Sequence, residues 1–172
     1  MENINQFTQL EQEIIQILNR VAEEDFDKKI KGDAQWTLRI KQLLAEFGDK
    51  NGFQVSTSGL EDKTVTEWLY DLVWYKENKN NGMLEYVPLV LECEWGRAIK
   101  HIKFDFEKLL LANSEMRFMI CQAKPNQFDE FNNYFEEAVK AYGAIAKGSR
   151  FVIAILDDYD TGYFKCKLII KE

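Results

Sequence analysis

Asp71, Glu92 and Glu94 are the acids whose spacing in this chain could do chemistry. Two apolar runs, Leu69 to Tyr75 and Tyr86 to Trp95, flank Asn81-Gly82, the residue pair that most favours a two-residue hairpin turn. With the turn centred there, opposed residues have numbers summing to 163, because 81 plus 82 is 163. Trp74 then faces Leu89 and Leu72 faces Leu91 on one side of the ribbon, while Val73 faces Val90 and Asp71 faces Glu92 on the other. Glu94 lies two residues beyond Glu92 and so shares its face. Opposed Cβ atoms lie only ~4.5–5.5 Å apart, and like charges held so close need a cation or a proton between them. Mg²⁺ or Mn²⁺ would serve, since such an ion is held by one or two carboxylates, waters and substrate phosphate. A metal in that position polarises a phosphoryl oxygen and acidifies a bound water, the requirements of phosphodiester hydrolysis.

The elements that position these acids follow from periodicity. Ile4, Phe7, Leu10, Ile14, Ile17, Leu18 and Val21 mark an amphipathic helix to about Lys29, an N-terminal extension of roughly residues 1–30. Gly32-Asp33 breaks it, and Asp33 is placed to cap a second helix through Trp36, Ile40, Leu43, Leu44 and Phe47, ended by Gly48. After the Asn51-Gly52 turn the period becomes two, with a strand over Phe53 to Ser56, a polar loop to Lys63 and then the hairpin. A helix over about Arg97 to Asn113, a strand over Arg117 to Gln122 and a helix over about Gln127 to Ala146 come next. Phe151 to Leu156 and Tyr163 to Ile170 form a closing strand pair. The order predicts one α/β domain over residues 1–172, a mixed sheet with helices on its faces.

Asp71 followed by Glu92-Cys93-Glu94 in the next strand, with a helix before and a helix-strand unit after, resembles the PD-(D/E)XK nuclease superfamily, also called the restriction endonuclease-like fold. Val90-Leu91-Glu92-Cys93-Glu94-Trp95-Gly96 and Asp105-Phe106-Glu107-Lys108-Leu109-Leu110 are similar to uncharacterised bacterial members, over roughly residues 34 to 156. The resemblance implies a restriction endonuclease-like sheet and a Mg²⁺- or Mn²⁺-dependent endonuclease. Asp71 and Glu92 would be metal ligands, and Glu94 a ligand or general base. Glu94 stands where the superfamily usually has lysine. Three consequences stay open: a working E-x-E site, a degenerate one, or a cation that has migrated to Lys76, Lys100 or Lys108. Glu46, on the helix before the first strand, is the matching accessory acid. On the third helix Arg97, His101, Asp105 and Lys108 share one polar stripe.

Composition sets the rivals. The chain has 172 residues, 46% hydrophobic, with 9 Gly and 2 Pro, enough apolar surface for a core and too little Gly and Pro for a disordered chain. A net charge of -7 repels a polyanion, so nucleic acid has to meet a local basic patch, for which Lys76, Lys79, Arg97, Lys100 and Lys103 are the candidates. The same charge fits the rival reading, a non-catalytic module on this fold that binds a protein partner or a second copy of itself. Cys93, Cys121 and Cys166 lack C-x-x-C spacing and read as free thiols in a reducing compartment. With no basic-then-apolar leader at the N-terminus and no apolar run long enough to span a bilayer, a cytoplasmic location without membrane contact is expected. His101 is the only histidine, too few for a histidine-rich zinc site. Asp157-Asp158-Tyr159-Asp160-Thr161-Gly162 lacks calcium-loop ligands at Tyr159 and Leu168 and reads as a turn. The four Trp and 12 Phe read mainly as core.

Overall fold

A computed structural model describes residues 6–26, 32–61, 68–157 and 162–172. The chain runs α1 (Gln9–Phe26), α2 (Asp33–Lys50), β1 (Gln54–Thr57), β2 (Leu72–Glu77), β3 (Leu84–Glu94), α3 (Ile99–Leu111), β4 (Met116–Ala123), α4 (Phe128–Ala141), β5 (Arg150–Asp157) and β6 (Phe164–Ile170). All six strands join one sheet in the order β1-β2-β3-β4-β5-β6. The β1-β2-β3 and β5-β6 pairings are antiparallel, and β3-β4-β5 are parallel, each crossover made by a helix. This is the α/β mixed sheet flanked by helices that the periodicity predicts. The two ends of the first expected helix, before Gln6 and after Phe26, the loop from Asp62 and the turn 158–161 lie outside the described residues.

Alternation along the strands divides the core into two layers. Leu72, Trp74, Leu89, Leu91, Phe118 and Ile120 point to α1 and α2, against Ile14, Leu18, Ile40 and Leu44. Val73, Val90, Met119, Cys121, Ile153 and Ile155 point to α3 and α4, against Ile102, Phe106, Phe131 and Phe135. Ion pairs fasten the helices. Thr8 and Glu11 cap α1 reciprocally, at 3.2 and 2.7 Å, and fully buried Glu11 also takes both arms of Arg150 on β5, at 2.7 and 2.6 Å. Lys171 donates to the carbonyls of Val139, Lys140 and Tyr142 and so caps the C-terminus of α4.

The β2-β3 register follows the sum of 163 from Leu72↔Leu91 through Trp74↔Leu89 and then shifts to Lys76↔Tyr86 and Glu77↔Leu84. Pro88 lies where the first shift occurs, between Tyr86 and Leu89; it has no N–H for the ladder, and an extra residue on β3 takes up the mismatch. The turn is accordingly wider than two residues: Asn78 N–H reaches the Met83 carbonyl and Gly82 N–H the Asn78 carbonyl, both at 2.8 Å. The shift lies on the turn side of Trp74, so the acid end of the hairpin keeps its register.

Two expectations on α2 need correction. Asp33 is its first residue rather than a cap, Gly32 holding the capping position without a side-chain bond, and the helix runs past Gly48 to Lys50. Gly48 is there for close approach. A Cβ would lie 2.5 Å from Trp74 Nε1 and within 3 Å of two indole carbons, in a ring fixed by its bond to the Leu44 carbonyl at 3.1 Å. Helix propensity favours Gly48→Ala by about 1 kcal/mol, whereas overpacking a rigid buried ring opposes it by ~1–3 kcal/mol. We expect a net loss, a melting temperature lower by ~2–4 °C for each kcal/mol lost. Thermal unfolding checks this, and a stabilised variant would contradict the packing account.

Candidate functional site

Glu92 sits in the middle of the sheet, on the α3 face, paired through its backbone with Met119 of β4 and only 2% exposed. An isolated carboxylate there is strongly disfavoured. Its neighbour is the ammonium of Lys108, 2.7 Å from Glu92 Oε1 and 2.8 Å from Asp105 Oδ1. The helix creates this bridge: Ile102, Phe106 and Leu109 are fully buried against the sheet, and Asp105 and Lys108, three apart, flank that apolar stripe. Apart from the ion pair, Glu92 Oε1 accepts no hydrogen bond. Burial pushes the Glu92 carboxyl up to about 8, with Lys108 pulling it down and the charges of Asp71 and Asp105 adding to the rise.

Asp71 lies just ahead of β2, one step past the Leu72↔Leu91 pair and thus beside Glu92. Its carboxylate turns onto the β3 backbone, where Oδ2 accepts the Cys93 N–H at 2.8 Å, and its carbonyl accepts the Thr57 hydroxyl at 2.8 Å. Oδ1 is 3.9 Å from Nζ of Lys41, a lysine of α2 that is 5% exposed and donates to Ser58 Oγ at 3.1 Å. Two lysines from opposite helical layers therefore flank the two acids.

Glu94 shares the face of Glu92 and turns toward the start of α3. Its Oε1 accepts the Gly96 N–H, and its carboxyl hydrogen-bonds Asp105, an acid-acid contact that with burial raises Glu94 above the usual carboxylate range. Gly96 permits this fold-back, since a Cβ would come 2.6 Å from Glu94 Oε1 and 3.3 Å from His101 Cβ. Gln122 at the end of β4 donates to the Trp95 carbonyl and Gln127 to the Arg97 carbonyl at 3.1 Å, pinning the same turn.

Of the accessory residues, Lys108 is within the cluster. Lys76 projects over the Phe53 ring, 5.8 Å away, on the other face of the sheet. Glu46 accepts from Gln42 and lines a groove of about 320 Å³ between α1 and α2 with Arg20 and Lys50. Lys79 is exposed in the hairpin loop, and Arg97, Lys100 and Lys103 are exposed around the start of α3. The basic patch is therefore divided: only its α3 part adjoins the acids. Lys41 was not foreseen, because a lysine on an apolar helix face reads as a solvent-reaching side chain; Asp105 was given no role at the site, standing in the polar stripe and in the stretch that carries the resemblance.

The donors can be tested against the ion that the resemblance implies. Asp71 and Glu92 offer hard oxygens, and two carboxylates with waters suffice for Mg²⁺. Glu92, buried and held only by the Lys108 ammonium at Oε1, fits such a ligand where the ion shares or displaces that ammonium. Among the described residues no group of three or more His, Cys, Asp and Glu side chains is arranged to hold a metal, and no helix is long and apolar enough to cross a membrane. No family model, curated protein or solved structure matches the chain.

The raised Glu92 carboxyl has a defined consequence for stability. Between about 4.5, its ordinary value, and about 8 the native state holds a proton that the unfolded chain has released, so this group's contribution falls as pH rises across that window. Glu92→Gln mimics the protonated form. We expect nearly equal melting temperatures at pH 5 and a more stable variant at pH 9, by ~2–4 °C for each kcal/mol. Melting curves at the two pH values decide; a variant destabilised most at pH 9 would show that Lys108 more than offsets the burial.

Proposed function

We propose that the chain is a divalent-metal-dependent nuclease-like protein that hydrolyses phosphodiester bonds of nucleic acid, on a restriction endonuclease-like version of the mixed sheet. The observation that carries the reading is Lys108, which brings an ammonium to within 2.7 Å of Glu92 from the neighbouring helix. It supplies from α3 the cation that the superfamily usually places at the position of Glu94. The element order supports it too: α2, the β1-β2-β3 meander, then α3 and β4, with Asp71 ahead of β2 and Glu92 near the end of β3.

In this reading Asp71 and Glu92 hold Mg²⁺ or Mn²⁺, which polarises the phosphoryl group and acidifies water when bound. Lys108 offsets charge that develops on the phosphate. Glu94 and Asp105, already joined by a hydrogen bond, accept and release the proton of the attacking water. Three free thiols support a reducing, cytoplasmic setting. A second reading, a non-catalytic module that binds a protein partner or a second copy, is favoured by the same lysine: Lys108 neutralises Glu92 and Asp105 within the fold, as in a degenerate site.

Cleavage and metal binding are both measured. Millimolar Mn²⁺ or Mg²⁺ should raise the melting temperature of the wild type and not of Asp71→Asn, because an ion bound to the native state stabilises it by mass action. With Mn²⁺ the wild type should cleave DNA or RNA, and Asp71→Ala and Glu92→Ala should lose several orders of magnitude in rate. Glu94→Lys separates the two readings: a working site loses activity, whereas a degenerate site given the superfamily's usual residue gains some. An equal thermal rise in Asp71→Asn with no cleavage of single-stranded, duplex or branched substrates would overturn the nuclease reading and leave the binding module.

A further inference from the structure

The outward face of α3 has a composition that its buried face does not explain. Phe104 is 68% exposed and Leu111, two turns on, 66%. Exposing a phenyl ring so fully forgoes the ~1.5–3 kcal/mol that its burial would contribute. Lys100 lies one turn before Phe104 and Lys108 one turn after it, the ammonium of Lys108 being 5.9 Å from the ring centre. Phe104 thus borders the Glu92-Asp105-Lys108 cluster through a residue of that cluster. From Arg97 to Lys103 the chain has Arg97, Lys100, His101 and Lys103 and no acid, all exposed, in a protein of net charge -7.

We propose that this face binds an unpaired stretch of nucleic acid, one base stacking on Phe104 while Lys100, Lys103 and Arg97 take the adjacent phosphates. This deepens the nuclease reading and rests on it for the choice of a nucleic acid. Stacking on an aromatic ring needs a base whose face is free, which a single strand offers and a duplex does not. Exposed Glu107 lies 3.7 Å from Lys103, yet Arg97, Lys100 and Lys103 still outnumber it, so charge disfavours the obvious rival, a second copy of the chain: pairing this face with itself would bring two net-basic segments together, whereas a polyanion complements them. The cluster lies at the carboxyl end of β3, so a strand laid along α3 from Lys100 past Phe104 arrives at Lys108 and Glu92.

The test separates binding from cleavage. Fluorescence anisotropy of a labelled oligothymidylate of about a dozen nucleotides, in EDTA, should show binding that weakens steeply between about 50 and 200 mM salt and exceeds binding to a duplex of equal length. Phe104→Ala should weaken it about tenfold or more, and Phe104→Trp should retain it. Lys100→Glu should reduce the salt slope by about 0.7 or more. The exposed positions leave the melting temperature as a check that each variant is folded. Equal affinity for duplex and single strand together with no effect of Phe104→Ala overturns the proposal. So does salt-insensitive self-association of the wild type, lost in Phe104→Ala, without oligonucleotide binding. Cleavage in Mn²⁺ undiminished by Phe104→Ala would leave the nuclease standing and this track refuted. Salt-sensitive, Phe104-dependent binding without cleavage would support the track and refute the hydrolytic reading.

Discussion

A carboxyl group in the middle of a sheet has to be neutralised, and Glu92 has two means: burial that pushes it up to about 8 and the Lys108 ammonium at 2.7 Å. That requirement constrains how α3 sits on the sheet. Lys108 bridges Glu92 and Asp105, so α3 cannot slide or rotate on the sheet without leaving the buried Glu92 carboxyl without a partner. The packing enforces the same placement independently: Ile102, Phe106 and Leu109 are fully buried beneath the helix. At its C-terminus, Arg117 of β4 donates through Nε and Nη2 to the Ala112 carbonyl, at 3.2 and 2.7 Å, and closes the end of α3. Packing and charge therefore agree on one register for α3.

The second lysine extends the argument to the other layer. Lys41 reaches Asp71 from α2, whose apolar side is held by Trp36, Ile40 and Leu44. The acids lie where three constraints meet: the start of β2, the carboxyl end of β3 and the inner surfaces of α2 and α3. In open α/β sheets ligands bind outside the carboxyl ends of parallel strands, and β3 and β4 end at this position. Trp95 anchors the β3-α3 turn to α2, donating to Thr37 at 2.8 Å with its ring 5.4 Å from Trp36. The turn it occupies also carries the Gly96 N–H that holds Glu94. The residues around the acids are thus fixed by packing before any ligand arrives, which is what orienting a reacting group requires.

Where local rules dominate, the sequence was legible. Helix stripes and strand alternation located the α-helices and strands, though α4 stops at Ala141, short of the expected Ala146, and the 3-10 turn Pro125–Gln127 ahead of it was not foreseen; arithmetic on Asn81-Gly82 gave the register that matters, Leu72↔Leu91 and Val73↔Val90. It gave the turn wrongly. Pro88 was a readable sign of a bulge, but the strength of the Asn-Gly signal hid it. Gly48 misled in a similar way, since a glycine near a helix end has two uses, stopping the helix or admitting a neighbour. Only the position of Trp74 distinguishes them. Lys108 was one of three cations that could have reached the acids, and choosing it needs the rotation of α3 about its axis. Lys41 and exposed Phe104 were beyond reach for one reason: burial of a charged residue and exposure of an aromatic one both run against type, and tertiary packing decides them.

Charge around the acids bears on what this cluster can accept. Asp71 and Glu92 face Lys41 and Lys108, so these four groups balance when all are ionised. Glu94 and Asp105 add two more carboxyls, and burial together with their hydrogen bond raises Glu94 above the usual carboxylate range. With Glu92 pushed up to about 8 and Glu94 raised as well, the cluster is far less anionic than its four acids alone imply. Under the nuclease reading a divalent ion would have to displace the Glu92 proton or the Lys108 ammonium, so its binding strengthens as pH rises toward 8. A lysine at position 94, with Lys108 in place, would put a second ammonium beside Asp105 and remove the carboxyl that Asp105 is hydrogen-bonded to, so under the nuclease reading a cation on α3 and an anion at position 94 are two halves of one charge exchange.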